Sequence, residues 1–140
     1  MLTRIARAEA PSMIISKRAK GFPICLSLQH WFIIQTTLPW LSKMGMVTPE
    51  MVDAYTLVPV LEITKKDMGT ARQHGWSPDC QSLYKSKTVR VRAEHLTGMI
   101  DILNLTAAYF PGGQLGGTLR TRAKRLQSVS ALDQLADASR

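Results

Sequence analysis

Apolar positions along this chain gather into three stretches, separated by connections rich in proline and glycine. The first, GFPICLSLQHWFIIQTTLPWLS at residues 21–42, contains no Asp, Glu, Lys or Arg. Wholly helical, it would extend about 33 Å, enough for a hydrocarbon core of about 30 Å. The prolines shorten it: Pro23 suits a first turn and Pro39 is expected to mark the other end, which leaves a hydrophobic helix over residues 22–38, near the lower limit for a span. Ile24, Leu28, Trp31, Phe32 and Ile34 supply its apolar surface. Gln29 with Thr36, and His30 with Thr37, lie seven apart and form a polar stripe. Such a helix suits a bilayer, with the stripe turned toward neighbouring helices, and equally suits a protein core or interface. Lys17, Arg18 and Lys20 before it, Lys43 after it, and Trp31 and Trp40 within it are flanks that a membrane segment carries.

The second stretch, residues 93–109, predicts an amphipathic helix in which Leu96, Met99, Ile100, Leu103, Leu105 and Ala107 form a broad apolar face. The third, residues 118–138, places Leu119, Leu126, Val129, Leu132 and Leu135 mostly three or seven apart, again an amphipathic helix. Between them, FPGGQLGG reads as a turn, because glycine supplies the backbone conformations that a reversal needs. Shorter signals fill the remainder. TPEMVDAY starts a helix with Thr48 as N-cap and Pro49 at the first helical position, and TLVPVLEIT is strand-like but confined to an edge by Pro59. In HGWSPDCQSLYKSK, Ser77 caps a short helix, whereas KTVRVRAEH alternates Val89 and Val91 with Arg90 and Arg92, as a short half-exposed strand does.

A length of 140 residues fits one domain with a modest core. Lys and Arg outnumber Asp and Glu 18 to 10, with an excess in both halves, and the imbalance comes from scarce acids, a pattern that favours organellar import and membrane association over dense phosphate-binding stripes. Residues 1–20 fit that picture. Leu2 and Ile5 lie on one side and Arg4 and Arg7 on the other of a short basic amphipathic segment that Pro11 closes, as mitochondrial import sequences do. The basic run TLRTRAKR concentrates Arg120, Arg122, Lys124 and Arg125 at the expected start of the last helix, where the helix dipole disfavours cations. An anionic partner, whether RNA phosphate, lipid headgroup or acidic protein, relieves that conflict.

Candidate chemistry is sparse. GGQLGG has neither the spacing of a dinucleotide fingerprint nor the Lys-Ser or Lys-Thr of a P-loop. His74, Asp79 and Cys80 offer a nucleophile with base and orienter, but closeness in sequence is poor evidence for such a triad, and Glu94, His95 and Asp101 lack metal-ligand spacing on a helix. Cys25 and Cys80 are the two cysteines, in no CxxC pair; two buried thiols are the default, and an oxidising compartment would permit a bridge.

These patterns predict a mainly α, irregular, partner-dependent small protein with at most short strands, organised as a basic segment at 1–20, a hydrophobic helix within 21–42 and a small helical region at 43–140. We expect no catalytic residues, metal or cofactor. The role expected first is that of an accessory subunit of a mitochondrial inner-membrane complex, a respiratory complex or the ATP synthase. Residues 22–38 would pack in or against the membrane sector, with other protein subunits and membrane lipids as partners. The alternative is a mitochondrial ribosomal protein of the matrix, with Arg120, Arg122, Lys124 and Arg125 on rRNA.

Overall fold

The computed structural model describes residues 20–61, 85–109 and 113–138, and the fold they form is mainly helical with one two-stranded sheet. In chain order the elements are strand β1 (Phe22–Ser27), helix α1 (Leu28–Lys43), helix α2 (Pro49–Tyr55) and strand β2 (Ser86–Val91). A 3-10 turn (Ala93–His95) then leads into helix α3 (Leu96–Tyr109), and helix α4 (Gly113–Ala138) completes them. The basic segment 1–19, the last three residues of TLVPVLEIT, and the stretch carrying His74, Ser77, Asp79 and Cys80 lie outside the described residues.

The charge-free stretch is not a single helix over residues 22–38. Phe22–Ser27 alternates buried and exposed positions and pairs antiparallel with β2, Phe22 opposite Val91, Ile24 opposite Val89 and Leu26 opposite Lys87. Period-two alternation of Phe22, Ile24 and Leu26 with Pro23, Cys25 and Ser27 drives the change, since a partner strand about 60 residues away covers what a helix would leave exposed on one side. Ser27 then switches the chain into α1: its backbone is extended, with φ −66° and ψ 157°, and its hydroxyl accepts from the His30 backbone N–H. Among the described residues no helix is long and apolar enough to cross a membrane. Trp31 and Ile34 are wholly buried in the protein's own core, Ile24 nearly so, and Leu28 and Phe32 are half-buried.

Pro39 does not end α1, which continues to Lys43. A proline there has no N–H to give the carbonyl of Gln35, four residues back, and that carbonyl needs another donor. The Tyr55 hydroxyl provides one at 2.8 Å, while the Gln35 side-chain oxygen accepts from Leu61 N–H at 2.7 Å. The break is thus sealed from α2 and its following loop.

Thr48 caps α2, its hydroxyl accepting from Met51 N–H at 3.2 Å with Pro49 at the first helical position, as its sequence predicts. Where α2 crosses α3 the backbones nearly touch: a Cβ at Gly98 would overlap the Glu50 carbonyl and lie 2.9 Å from Ala54 Cβ. Residues 57–61 form no strand. Helix α3 begins at Leu96, the 3-10 turn replacing its expected first turn. The reading of FPGGQLGG as a turn is corrected too, because Gly113–Gly117 are helical and α4 starts five residues before Thr118. A long apolar seam with α3 explains why. Leu119, Ala123 and Leu126 bury against Leu96, Met99, Ile102 and Leu103, and such packing outweighs the roughly 1 kcal/mol per residue that glycine costs a helix.

One core unites these elements. Phe22, Ile24, Leu26 and Val91 cover one end of it, Trp31, Ile34 and Leu38 of α1 one side, and α3 runs through the middle. Trp31 also donates from Nε1 to the Lys87 carbonyl at 3.0 Å, tying α1 to β2.

Candidate functional site

Two surfaces of opposite chemistry stand out among the described residues. At the far end of α1, Trp40, Met44 and Met46 are exposed, as is Tyr109 at the end of α3. They form a connected patch: the Trp40 and Tyr109 rings meet edge to face at 5.8 Å, and the Tyr109 hydroxyl lies 2.8 Å from Met46 Sδ. Aromatics and methionines are side chains enriched at the centres of protein interfaces, and 52% of Trp40 remains open to solvent. On the same part of α1, a cleft of about 210 Å³ is lined by Leu38, Pro39, Ser42, Val47, Val52 and Tyr55. Burial pushes the Tyr55 phenol up from its ordinary value.

The second surface spans α4 and the outer face of the ribbon. Arg122 is half-buried against β1 and donates from Nε to the Cys25 carbonyl at 2.9 Å. Because that carbonyl points away from β2, so do the backbone groups of Pro23, two residues earlier, which places the missing proline N–H on an edge where the ladder does not need it. Arg120, Lys124 and Arg125 are exposed on α4. They begin two turns into the helix, so the dipole conflict expected from the sequence is absent; that effect fades beyond the first turn. Arg90 stands opposite Pro23 on the ribbon and reaches the Gly21 carbonyl at 3.4 Å.

Charge is distributed unevenly along the described residues. Residues 20–49, 85–93 and 113–132 contain Lys20, Lys43, Lys85, Lys87, Arg90, Arg92, Arg120, Arg122, Lys124 and Arg125 but no Asp or Glu. The acids of the described elements are Glu50 and Asp53 of α2, Glu94 of the 3-10 turn, Asp101 of α3 and, in the last turns of α4, Asp133, which is buried, and Asp137. Burial, and secondarily the Glu50 carboxylate, raise the Asp101 carboxyl above its usual range. The α4 cations are evident in the sequence but their grouping with those of the ribbon is not, since Arg90 and Arg92 join them only through strand pairing. Nor is the Trp40 patch evident there, because its four members come from two helices and a loop.

Of the candidate catalytic and metal-binding residues, His74, Asp79 and Cys80 lie outside the described residues. No group of three His, Cys, Asp or Glu side chains suited to a metal ion occurs among the described residues. Cys25 is exposed as a free thiol on the outer ribbon face. His30 is held by the Ser27 hydroxyl, 2.6 Å from Nδ1, with Nε2 buried and unpartnered among the described residues. Burial, with the Arg122 guanidinium second, lowers its pKa below the ordinary imidazole value. That favours a neutral structural imidazole at the strand-to-helix junction.

Comparison with family models, curated proteins and solved structures finds no match to this chain.

Proposed function

We propose that this chain is a non-catalytic accessory subunit of a mitochondrial inner-membrane assembly, a respiratory complex or the ATP synthase, bound through the Trp40, Met44, Met46 and Tyr109 patch. The observation carrying this reading is that patch, a connected aromatic and sulfur surface beside an apolar cleft, left exposed while the core buries side chains as large as Phe22 and Trp31. Compartment rests on the basic amphipathic pattern of residues 2–10. In this reading the subunit attaches to neighbouring proteins; among the described residues no helix is long and apolar enough to cross a membrane. Its work is mechanical: it buries apolar surface of its neighbours and holds them in register.

Native electrophoresis of detergent-solubilised organelle membranes tests this. The chain is expected to migrate with a complex far larger than a free 140-residue protein. A Trp40→Ser, Met46→Ser variant that keeps its helical circular dichroism is expected to run free. Migration of the unaltered chain as a monomer, or of the variant with the complex, would sink the reading.

A second reading, a mitochondrial ribosomal protein, is favoured by the cations of the ribbon and of α4, whose residues 113–132 contain no acid. RNA co-sedimenting with the chain through a sucrose gradient, and lost on nuclease treatment, would support it over the first.

A further inference from the structure

Gly117 is the fifth residue of α4, and nothing among the described residues requires it. A Cβ built there meets no atom within 4 Å. Helix propensity alone favours alanine at such a position. On the helix, Gly117, Thr121, Lys124 and Ser128 succeed one another at intervals of three or four, so they lie along one line, with Gln114, Arg120 and Arg125 beside it. Leu119, Ala123 and Leu126 point the opposite way, into the core. The line therefore follows the solvent face of α4.

An open basin of about 420 Å³ lies against this region, lined by Gln114, Gly117, Thr118, Thr121 and Arg122. Its walls are an amide, two hydroxyls, a guanidinium and bare helix backbone. The Arg122 bond to the Cys25 carbonyl uses one of five guanidinium N–H donors and fixes the direction of the fork. Such donors, beside backbone that a ligand can approach closely, suit phosphate oxygens.

We propose that the solvent face of α4, with Arg90 of the ribbon, docks on the sugar-phosphate backbone of a nucleic-acid duplex. Gln114 to Arg125 spans about 16 Å of helix, about five base-pair steps measured along a duplex axis. Among the described residues no aromatic side chain stands beside this face for bases to stack on. Phe22 and Trp31 are buried, and the exposed aromatics Trp40 and Tyr109 belong to the apolar patch. A single strand without stacking platforms is held poorly, whereas a duplex presents its charge on a fixed surface. A membrane surface fits less well, because among the described residues of this face Leu135, near the end of α4, is the one large apolar side chain that is exposed, and a single such side chain gives little insertion. Binding here does not depend on the apolar patch, and the duplex could lie in a ribosome or elsewhere.

Fluorescence anisotropy on the full chain tests the proposal, with an RNA duplex of about 20 base pairs as probe, longer than the ~16 that duplex-binding RNA domains cover. The expected result is binding that weakens about a hundredfold between 50 and 200 mM salt, as for about four neutralised phosphates. An Arg90→Gln, Lys124→Gln, Arg125→Gln variant should bind at least tenfold more weakly, its log-log salt slope shallower by about 0.9 for each phosphate that is no longer neutralised. Gly117→Ala should raise the melting temperature while weakening binding threefold or more, a pair of changes that a purely structural glycine would not produce. No binding at low salt, tighter binding to the single strand, preference for phosphatidylcholine vesicles containing phosphatidylserine, or unchanged affinity in both variants would each overturn it. Because Trp40→Ser, Met46→Ser should leave this affinity unchanged, failure here and failure of the docking patch are separable.

Discussion

The α2–α3 crossing and the first turns of α4 each place a glycine inside a helix, and their surroundings differ completely. At Gly98 the space of the missing side chain is occupied by the Glu50 backbone; at Gly117 it is open. A similar contrast separates Pro39 from Gly117. The carbonyl that Pro39 leaves without a helical donor is satisfied by Tyr55, so the helix defect near the apolar patch is repaired from within. A helix-breaking residue that the fold uses explains itself by packing. One that the fold ignores points outward, to what the surface meets.

Substitution at Gly98 should give the largest effect. Gly98→Ala drives a methyl into backbone that cannot yield without moving α2, and we expect a loss of about 3 kcal/mol or more, read by urea denaturation. A variant of unaltered stability would mean that the two helices separate cheaply. Next comes Tyr55→Phe, which strands the Gln35 carbonyl and should cost about 1–3 kcal/mol. Adding Pro39→Ala restores a helical N–H to that carbonyl, so the double-mutant cycle should return about 1 kcal/mol of coupling; strict additivity would show that the tyrosine bond contributes nothing. Gly117→Ala should act in the opposite direction, stabilising by about 1 kcal/mol in the same denaturation experiment.

The smallest expected effect is electrostatic. His30 has a folded-state pKa below its unfolded value of 6.5, so the unfolded chain binds more protons in the interval between them. Its contribution to stability is therefore present above pH 6.5 and declines as pH falls through 6.5 toward the folded-state value. His30→Asn should flatten the melting temperature in that interval, and Arg122→Met should narrow it, since the guanidinium is the second cause of the shift. A pH profile identical in all three proteins would contradict the assignment.

Much of the secondary structure was legible. Thr48-Pro49 announced α2, the spacing of Leu96, Met99, Ile100 and Leu103 announced α3, and alternation in KTVRVR announced β2. Where the reading failed, the same residues satisfied two patterns. FPICLS is charge-free, as a buried helix can be, and alternating, as a strand is. Only the arrival of β2 selects the second, because a strand's stability lies in a partner that its own sequence does not contain. Pro39 and the glycines at 113–117 are breakers by local preference, overridden by Tyr55 in one case and by the α3–α4 seam in the other.

Of the candidate surfaces, the Arg120 to Arg125 run was visible because four cations in six residues need no fold to be adjacent. The apolar patch was not, since Trp40, Met46 and Tyr109 come together across 69 residues. By itself the sequence determined how much apolar surface this protein must bury, that its acids are few, and where most helices lie, because composition and periodicity are local. Tertiary structure decided which uncharged residues became strand and which helix, which breakers were repaired, and which surfaces were left apolar or cationic. Those outcomes depend on interactions between distant segments, whose energies no single stretch of chain contains.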